Sequence, residues 1–488
     1  MINETRHAMH GTRCIVTVLT LALIYLGVLP TAAQHAPGAD HPYEWPEDPA
    51  VREKLDKWQD QKFGMIIHWG LYAVPGIIES WALCSEDWIY RDSTSDYNDF
   101  KTWYWGLKDQ FNPEAFNPDQ WAAAAHSAGM RYVVFTTKHH DGFSMFDTKQ
   151  TTFSIAHGPF ASHPKKDVAK HVFNVFRERD FMIGAYFSKP DWHSEYYWWT
   201  RYATPDRNNN YDIRKNRWRW NKFREFTYNQ IEELMTGYGA MDILWLDGGW
   251  VRPLETVNDE VRAWGARIPE WSQDIGMDRI AAMARRNQPG LLVVDRTVHG
   301  TYENYRTPEQ NVPEKRLDYP WESCITLGNA WGHVANDEYK SAAKLIHLLT
   351  EIVAKGGNLL LGVGPGPDGT LNYKQVTRLK EIGAWLEVNG EAIYGTRSIE
   401  KYQDGKTFFT KGKDGRIYAI VLLNEGDAVP EKVTWTVNFP KQGSEMRLLS
   451  GNRKVSWRRN GDAVSVNVPA TVRRSSQPAL VFSFIPKE

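Results

Sequence analysis

Short apolar runs that each end in polar residues are the feature that most constrains the fold of this chain. These runs lead into His68, into His139 and His140, into Tyr186, into Asp247, and into Arg296. Near-continuous apolar runs are typical of strands that are buried on both faces of a parallel sheet. In a (β/α)₈ barrel, the side chains at the carboxyl ends of the strands point into one shared cleft. The pattern therefore predicts an enzyme whose polar groups meet at one rim.

The pattern of the chain changes near residue 397. Strand and helix patterns alternate from about residue 56 to 397, as an α/β fold requires. Beyond that point, apolar residues alternate with polar ones around turns such as Asn460-Gly461, and no helix pattern intervenes. We therefore predict a (β/α)₈-like TIM barrel over residues 34–397, followed by an antiparallel β-sandwich with an accessory role over residues 398–488.

The first 33 residues have the pattern of a secretory signal peptide. Arg6 and Arg13 are basic, residues 15–29 are apolar, and Ala32-Ala33 provides small residues for cleavage. An uncleaved membrane anchor is the alternative, but the apolar run is shorter than the roughly 20 residues that cross a bilayer. We expect a secreted or periplasmic protein that has no membrane attachment after cleavage.

Composition narrows the range of partners. The net charge is −1 and the pI is about 7.0, so neither nucleic acid nor an anionic membrane surface is indicated as a partner. The chain has 22 Trp, which either fill a large core or stack on the faces of sugar rings. Cys84 and Cys324 follow the signal peptide and either pair or remain core thiols.

Asp247 is the strongest single candidate for a catalytic residue. It ends an apolar run and is followed by Gly248 and Gly249, which leave room for a ligand. Trp245 lies two residues earlier and therefore projects from the same face of the strand. A helix cap or a structural ion pair is the alternative role for Asp247.

A glycosidase needs a second carboxyl group to protonate the departing oxygen. Glu303 lies in the polar loop after Asp295-Arg296 and near two tyrosines, where partial burial would raise its pKa. Glu309 and Glu322 are alternatives for the same role.

The histidines also admit a metal site. His68, His139 and His140 with Asp247 are possible zinc ligands. However, adjacent histidines on a strand point to opposite faces, and the chain has no HExxH spacing. We therefore expect these histidines to bind sugar hydroxyls, with no metal and no cofactor.

Three stretches in this order resemble the α-L-fucosidases of glycoside hydrolase family 29. They are His68-Trp69-Gly70, Lys138-His139-His140-Asp141-Gly142-Phe143 and Trp245-Leu246-Asp247-Gly248-Gly249-Trp250. The resemblance extends over about residues 45–397, and members of that family also carry a β-rich tail.

The resemblance implies a retaining exo-glycosidase that removes terminal α-L-fucose from glycans, with Asp247 as nucleophile and Glu303 as acid/base. The implied substrate-binding residues are His68, Glu86, Trp88, His139, His140, Tyr186, Trp245, Arg296 and Trp331. The chain departs from the family pattern at Asp87, which separates Glu86 from Trp88. An α-L-galactosidase and a catalytically inactive glycan-binding protein are the alternatives. The sequence leaves the linkage, the natural glycan and the oligomeric state undetermined.

Overall fold

The computed structural model describes residues 41–84, 96–204, 206–264, 267–474 and 477–487. The predicted signal peptide, Glu86 and Trp88 lie outside these ranges. No helix within them is long and apolar enough to cross a membrane.

Seven parallel strands form the central sheet. They are β1 (Phe63–Ile67), β2 (Tyr132–Lys138), β3 (Met182–Ser188), β4 (Ile243–Asp247), β5 (Leu292–Asp295), β6 (Glu322–Thr326) and β7 (Asn358–Val363). Their order in the sheet is β5-β4-β3-β2-β1-β7-β6, so β5 and β6 are its two edges. The strands are almost wholly buried, as their apolar composition requires.

Residues 303–310 connect the two edge strands and close the barrel. Asn304 donates its backbone N–H to the carbonyl of Val293 in β5 at 3.0 Å, and Gln310 donates to the carbonyl of Cys324 in β6 at 2.8 Å. We call this stretch the closing segment. It takes the place of an eighth strand, which confirms the predicted (β/α)₈-like barrel.

Helices surround the sheet. They are α1 (Pro49–Gln61), α2 (Tyr97–Gly106), α3 (Pro118–Ser127), α4 (Val168–Arg177), α5 (Arg217–Gly237), α6 (Asp259–Ala263), α7 (Met277–Asn287), α8 (Ala342–Ala354) and α9 (Tyr373–Asn389). Side chains cap several of them: Asn117 accepts a hydrogen bond at the start of α3, and Asn372 with Gln375 forms a capping box at the start of α9. The buried apolar residues of α3, α4, α5, α7, α8 and α9 form one core with the outward-facing residues of the strands.

Helix α1 closes the barrel at the end opposite the polar rim. Val51, Leu55 and Trp58 of this helix are buried with the residues inside the barrel. The Trp58 ring stacks on Tyr305 of the closing segment, with ring centroids 3.9 Å apart. Helix α1 therefore packs against the closing segment as well as against the residues inside the barrel.

Glu322 is a carboxylic acid inside the barrel, beneath the rim. Tyr132 donates its hydroxyl hydrogen to one carboxyl oxygen at 2.6 Å, and the indole N–H of Trp245 donates to the other at 3.3 Å. Burial raises the pKa of Glu322 to about 7. Glu322 is therefore a group whose ionisation opposes folding.

Replacing Glu322 with glutamine is expected to make stability less sensitive to pH. An unfolded glutamate ionises near its ordinary pKa of 4.5, so the parent loses stability as the pH rises from about 4.5 to about 7. Glu322→Gln cannot ionise, so its advantage in the free energy of unfolding should grow over this window and level off at about 3–4 kcal/mol, from about 1.4 kcal/mol per pKa unit. Urea unfolding of parent and variant at pH 4.5, 6 and 8 measures this difference in stability. Glu387→Gln, which changes an exposed glutamate on α9, is the control. A difference that is constant with pH would contradict the prediction.

The C-terminal part is antiparallel and confirms the predicted sandwich. Its strands are β8 (Gln403–Asp404), β9 (Thr407–Lys411), β10 (Ile417–Leu422), β11 (Lys432–Trp435), β12 (Met446–Leu448), β13 (Arg453–Val455), β14 (Trp457–Asn460), β15 (Ala463–Asn467) and β16 (Ala479–Phe484). One sheet has the order β13-β12-β16-β10-β9-β8 and the other β11-β15-β14. Trp435, Phe482 and Phe484 pack in the core between them. The boundary between residues 397 and 398 stays a prediction.

Candidate active site

Asp247 is the last residue of β4 and lies at the mouth of the barrel. One carboxylate oxygen accepts a hydrogen bond from the Tyr186 hydroxyl at 2.7 Å, and the other accepts from the backbone N–H of Gly248 at 2.8 Å. Its side chain is 18% exposed, so it is held on both sides and still reachable from the cleft.

Arg296 joins two carboxylates across the cleft. One terminal nitrogen donates to Asp247 Oδ1 at 2.8 Å, and the other donates to Glu309 Oε2 at 2.8 Å. Its Nε donates to the Thr307 hydroxyl at 3.0 Å, and its guanidinium lies 4.4 Å from the centroid of the Trp245 ring. A planar donor set held at three edges fixes the positions of both carboxylates.

The charge of Arg296 keeps Asp247 ionised. Burial would raise the pKa of Asp247, but the positive charge of the adjacent Arg296 guanidinium outweighs burial. Hydrogen bonds from Tyr186 and Gly248 add to this effect, and the pKa of Asp247 lies well below its usual range. The site therefore holds a carboxylate anion ready to act as a nucleophile.

Three histidine rings line the cleft beside Asp247. The His139 and His140 ring centroids are 4.3 Å apart, and His68 lies 5.7 Å from His139. His140 Nε2 is 3.7 Å from Asp247 Oδ2. The expectation that His139 and His140 point to opposite faces is wrong, because β2 ends at Lys138 and strand alternation stops there.

These histidines are neutral. Burial lowers the pKa of His139 to about 4 and those of His68 and His140 well below 6.5. A hydrogen bond with the Ser188 hydroxyl, 2.8 Å from Nδ1, orients the His140 ring. A neutral imidazole both donates and accepts, which suits a sugar hydroxyl.

Glu303 is buried away from this set, so its predicted place in the cleft needs correction. Its carboxylate accepts the backbone N–H of Thr297 at 2.9 Å and contacts His299 Nδ1 at 2.7 Å. Its side chain is only 4% exposed, and the partners of Asp247 and Arg296 do not include it. Glu303, the first residue of the closing segment, forms a local ion-pair network with His299 and Arg306.

Glu309 lies where Glu303 was predicted. Besides its contact with Arg296, its Oε1 accepts from the indole N–H of Trp331 at 3.2 Å, and its side chain is 27% exposed. The Trp331 ring lies 5.1 Å from His68. Residues 305, 307 and 309 alternate along the closing segment and face the barrel interior. Glu309 is thus the carboxyl group that shares the cleft with Asp247.

The structure brings together eight of the predicted site residues, namely His68, His139, His140, Tyr186, Trp245, Asp247, Arg296 and Trp331. It also adds two that the sequence analysis missed. Trp81 lies 5.1 Å from the His140 ring, and buried Glu79 accepts the backbone N–H of Gly332 at 2.6 Å, next to Trp331. Both residues lie in the stretch Glu79-Ser80-Trp81, which follows the loop after His68 and combines a carboxyl group with an aromatic ring. That combination was the sequence feature that could have identified them.

The described residues contain no group of three or more His, Cys, Asp or Glu side chains arranged to hold a metal ion. Cys84 and Cys324 are both buried thiols in the structure and do not form a disulfide with each other.

Comparison with known proteins identifies the family. A family model described as alpha-L-fucosidase matches residues 30–391. The chain belongs to the α-L-fucosidase family. Human plasma alpha-L-fucosidase is 28% identical over 434 residues, which cover 83% of this chain and 83% of the human protein.

Solved structures of family members share the fold. Alpha-L-fucosidase isoenzyme 1 from Paenibacillus thiaminolyticus is 28% identical with a TM-score of 0.71, covering 90% of this chain and all of that one. The Thermotoga maritima alpha-fucosidase in complex with fucose is 27% identical with a TM-score of 0.67, covering 91% of this chain and all of that one.

Arg296 is expected to set the acid limit of activity. Without its charge, burial dominates and the pKa of Asp247 rises, so Arg296→Gln should move the acid limb of kcat/KM to higher pH. Profiles of kcat/KM against pH with nitrophenyl α-L-fucoside measure this shift. Arg296→Lys keeps the charge and serves as the control, with a smaller shift expected. An acid limb that does not move in Arg296→Gln would contradict the role of this charge.

Proposed function

We propose that the chain is a retaining exo-α-L-fucosidase that hydrolyses terminal α-L-fucosyl linkages of glycans by double displacement. The observation that carries this proposal is the bridge from Asp247 through Arg296 to Glu309, in a cleft lined by neutral histidines and aromatic rings. In retaining glycosidases the two carboxyl groups lie about 5–5.5 Å apart. Two carboxylates bound by one guanidinium are compatible with that spacing.

In the first step, Asp247 attacks the anomeric carbon and forms a covalent β-fucosyl ester. Glu309 donates a proton to the glycosidic oxygen, so the aglycone leaves as a neutral alcohol. Tyr186 and Arg296 hold the attacking carboxylate in position while His68, His139 and His140 bind the sugar hydroxyls.

In the second step, Glu309 accepts a proton from water, and the water oxygen attacks the anomeric carbon. The ester bond to Asp247 breaks, the carboxylate is released, and the product has the α configuration of the substrate. Arg296 stabilises the charge that returns to Asp247.

We further propose that the substrates are fucosylated glycans, because the family members are fucosidases and the Thermotoga maritima relative is solved with fucose. The basic and apolar pattern of residues 1–33 supports a signal peptide and a secreted or periplasmic enzyme. No specific observation favours an α-L-galactosidase or an inactive glycan-binding protein.

Replacing Asp247 with glycine is expected to abolish turnover of nitrophenyl α-L-fucoside, with a loss of about 10³-fold or more. Azide should restore activity because it fills the space of the missing carboxylate. Azide attacks the anomeric carbon from the face that Asp247 would attack, so the product should be β-fucosyl azide. Nuclear magnetic resonance identifies this product. Full activity in the purified variant without azide would refute the assignment of Asp247.

Glutamine substitutions of Glu309 and Glu303 separate the two candidates for the acid. Glu309→Gln should slow hydrolysis of a glycan substrate by about 10²–10⁴-fold, and cleavage of nitrophenyl α-L-fucoside much less, because nitrophenolate leaves without a proton. Glu303→Gln should slow both substrates to a similar, small extent.

The stereochemistry of rescue gives a second readout. In Glu309→Ala, azide should attack the covalent intermediate from the opposite face and yield α-fucosyl azide. In the comparison of substrates, a larger loss on the glycan than on nitrophenyl α-L-fucoside in Glu303→Gln, but not in Glu309→Gln, would assign the acid role to Glu303.

A further inference from the structure

The loop between β3 and α5, together with the first turn of α5, carries aromatic rings that the proposed reaction does not use. We propose that Trp199, Tyr202 and Trp218, which we call the aromatic platform, bind the glycan chain that carries the fucose. This inference rests on the proposed function and extends it from the terminal sugar to the rest of the substrate.

The platform rings are exposed although they are large. Tyr202 is 45% exposed and Trp218 is 57% exposed, while Trp199 is half-buried. The Trp199 and Tyr202 ring centroids are 5.3 Å apart in an edge-to-face arrangement. Clustered exposed aromatic rings mark binding surfaces more often than single exposed residues do.

A buried arginine holds two of the rings in place. The Arg219 guanidinium lies 4.0 Å from the Trp199 ring centroid and 4.9 Å from that of Trp218, and the residue is 7% exposed. Its Nε has no hydrogen-bond partner among the described residues. Cation–π contacts on both sides fix the indoles before any ligand arrives, which lowers the entropy cost of binding.

Two buried tryptophans connect the pocket for the terminal sugar to the platform. Its loop leaves the carboxyl end of β3, on the same face of the barrel as Asp247. Trp192 of this loop lies 5.2 Å from the His140 ring, and Trp198 stacks on Trp192 at 5.1 Å. Trp199 follows directly in the chain. A glycan whose terminal fucose occupies the pocket must leave over this face.

The chemistry of the platform suits a neutral oligosaccharide. Aromatic faces stack on the C–H faces of sugar rings. Exposed Arg201, 5.5 Å from the Trp199 ring and 5.8 Å from the Tyr202 ring, offers donors for the hydroxyl groups at the ring edges. An apolar protein partner would instead bury the Arg201 charge without a matching group, which is costly.

Alanine variants of the platform test the proposal by comparing short and long substrates. For Trp218→Ala and Tyr202→Ala, kcat/KM for nitrophenyl α-L-fucoside should stay within about twofold of the parent. For a fucosylated biantennary N-glycan and a fucosylated xyloglucan, it should fall by about three- to tenfold through a rise in KM. Tyr202→Phe, which keeps the ring, should retain most of the activity on long substrates. Tyr373→Ala, which removes a 73% exposed tyrosine on α9, is the matched control and should leave both classes unchanged.

The outcomes separate this inference from the proposed function. A parent protein that does not cleave nitrophenyl α-L-fucoside refutes the proposed function itself. A parent that cleaves nitrophenyl α-L-fucoside but neither long glycan refutes the platform. Unchanged hydrolysis of the long glycans by both alanine variants, or an equal loss on short and long substrates, also refutes it.

Discussion

The buried guanidinium of Arg296 is the group on which the active-site geometry depends. A cation that is 4% exposed is tolerated only when anions and dipoles surround it. Asp247, Glu309 and the Thr307 hydroxyl accept its hydrogen bonds, and the Trp245 ring lies against its face. Because these groups come from β4 and the closing segment, satisfying one charge also joins two parts of the barrel. The same contacts hold the two carboxyl groups that the proposed reaction needs.

Charge in the cleft is concentrated on a few groups. The carboxylate of Asp247 is ionised, whereas burial keeps His68, His139 and His140 neutral. The neutral hydrogen-bonding rings and the anion that is proposed to attack are therefore separate groups that lie side by side in the cleft. This separation suits a substrate that is itself uncharged and develops positive charge only at the anomeric centre in the transition state.

The sequence predicted the site best where strand periodicity applies. Asp247, Trp245, Tyr186 and Arg296 lie at or near the carboxyl ends of β3, β4 and β5, so buried strands with polar ends were enough to place them. His139 and His140 lie in the cleft as predicted, but the expectation that they point to opposite faces was wrong, because both follow Lys138, where strand alternation no longer holds. The predicted place of Glu303 in the cleft was wrong for a related reason. Its segment has the composition of a loop, and only long-range pairing with β5 and β6 reveals which of its residues face inward.

The closing segment also decides which strand fixes the position of Glu309 in the cleft. Residues 297–302 form turns between β5 and this segment, whereas Glu309 is bridged directly to Cys324 of β6. Insertions or deletions in those turns would change the distance along the chain from Arg296 to Glu309 but leave the pairing with β6 intact. The position of Glu309 in the cleft is therefore fixed by β6, the strand that follows it, and does not depend on how many residues separate it from Arg296.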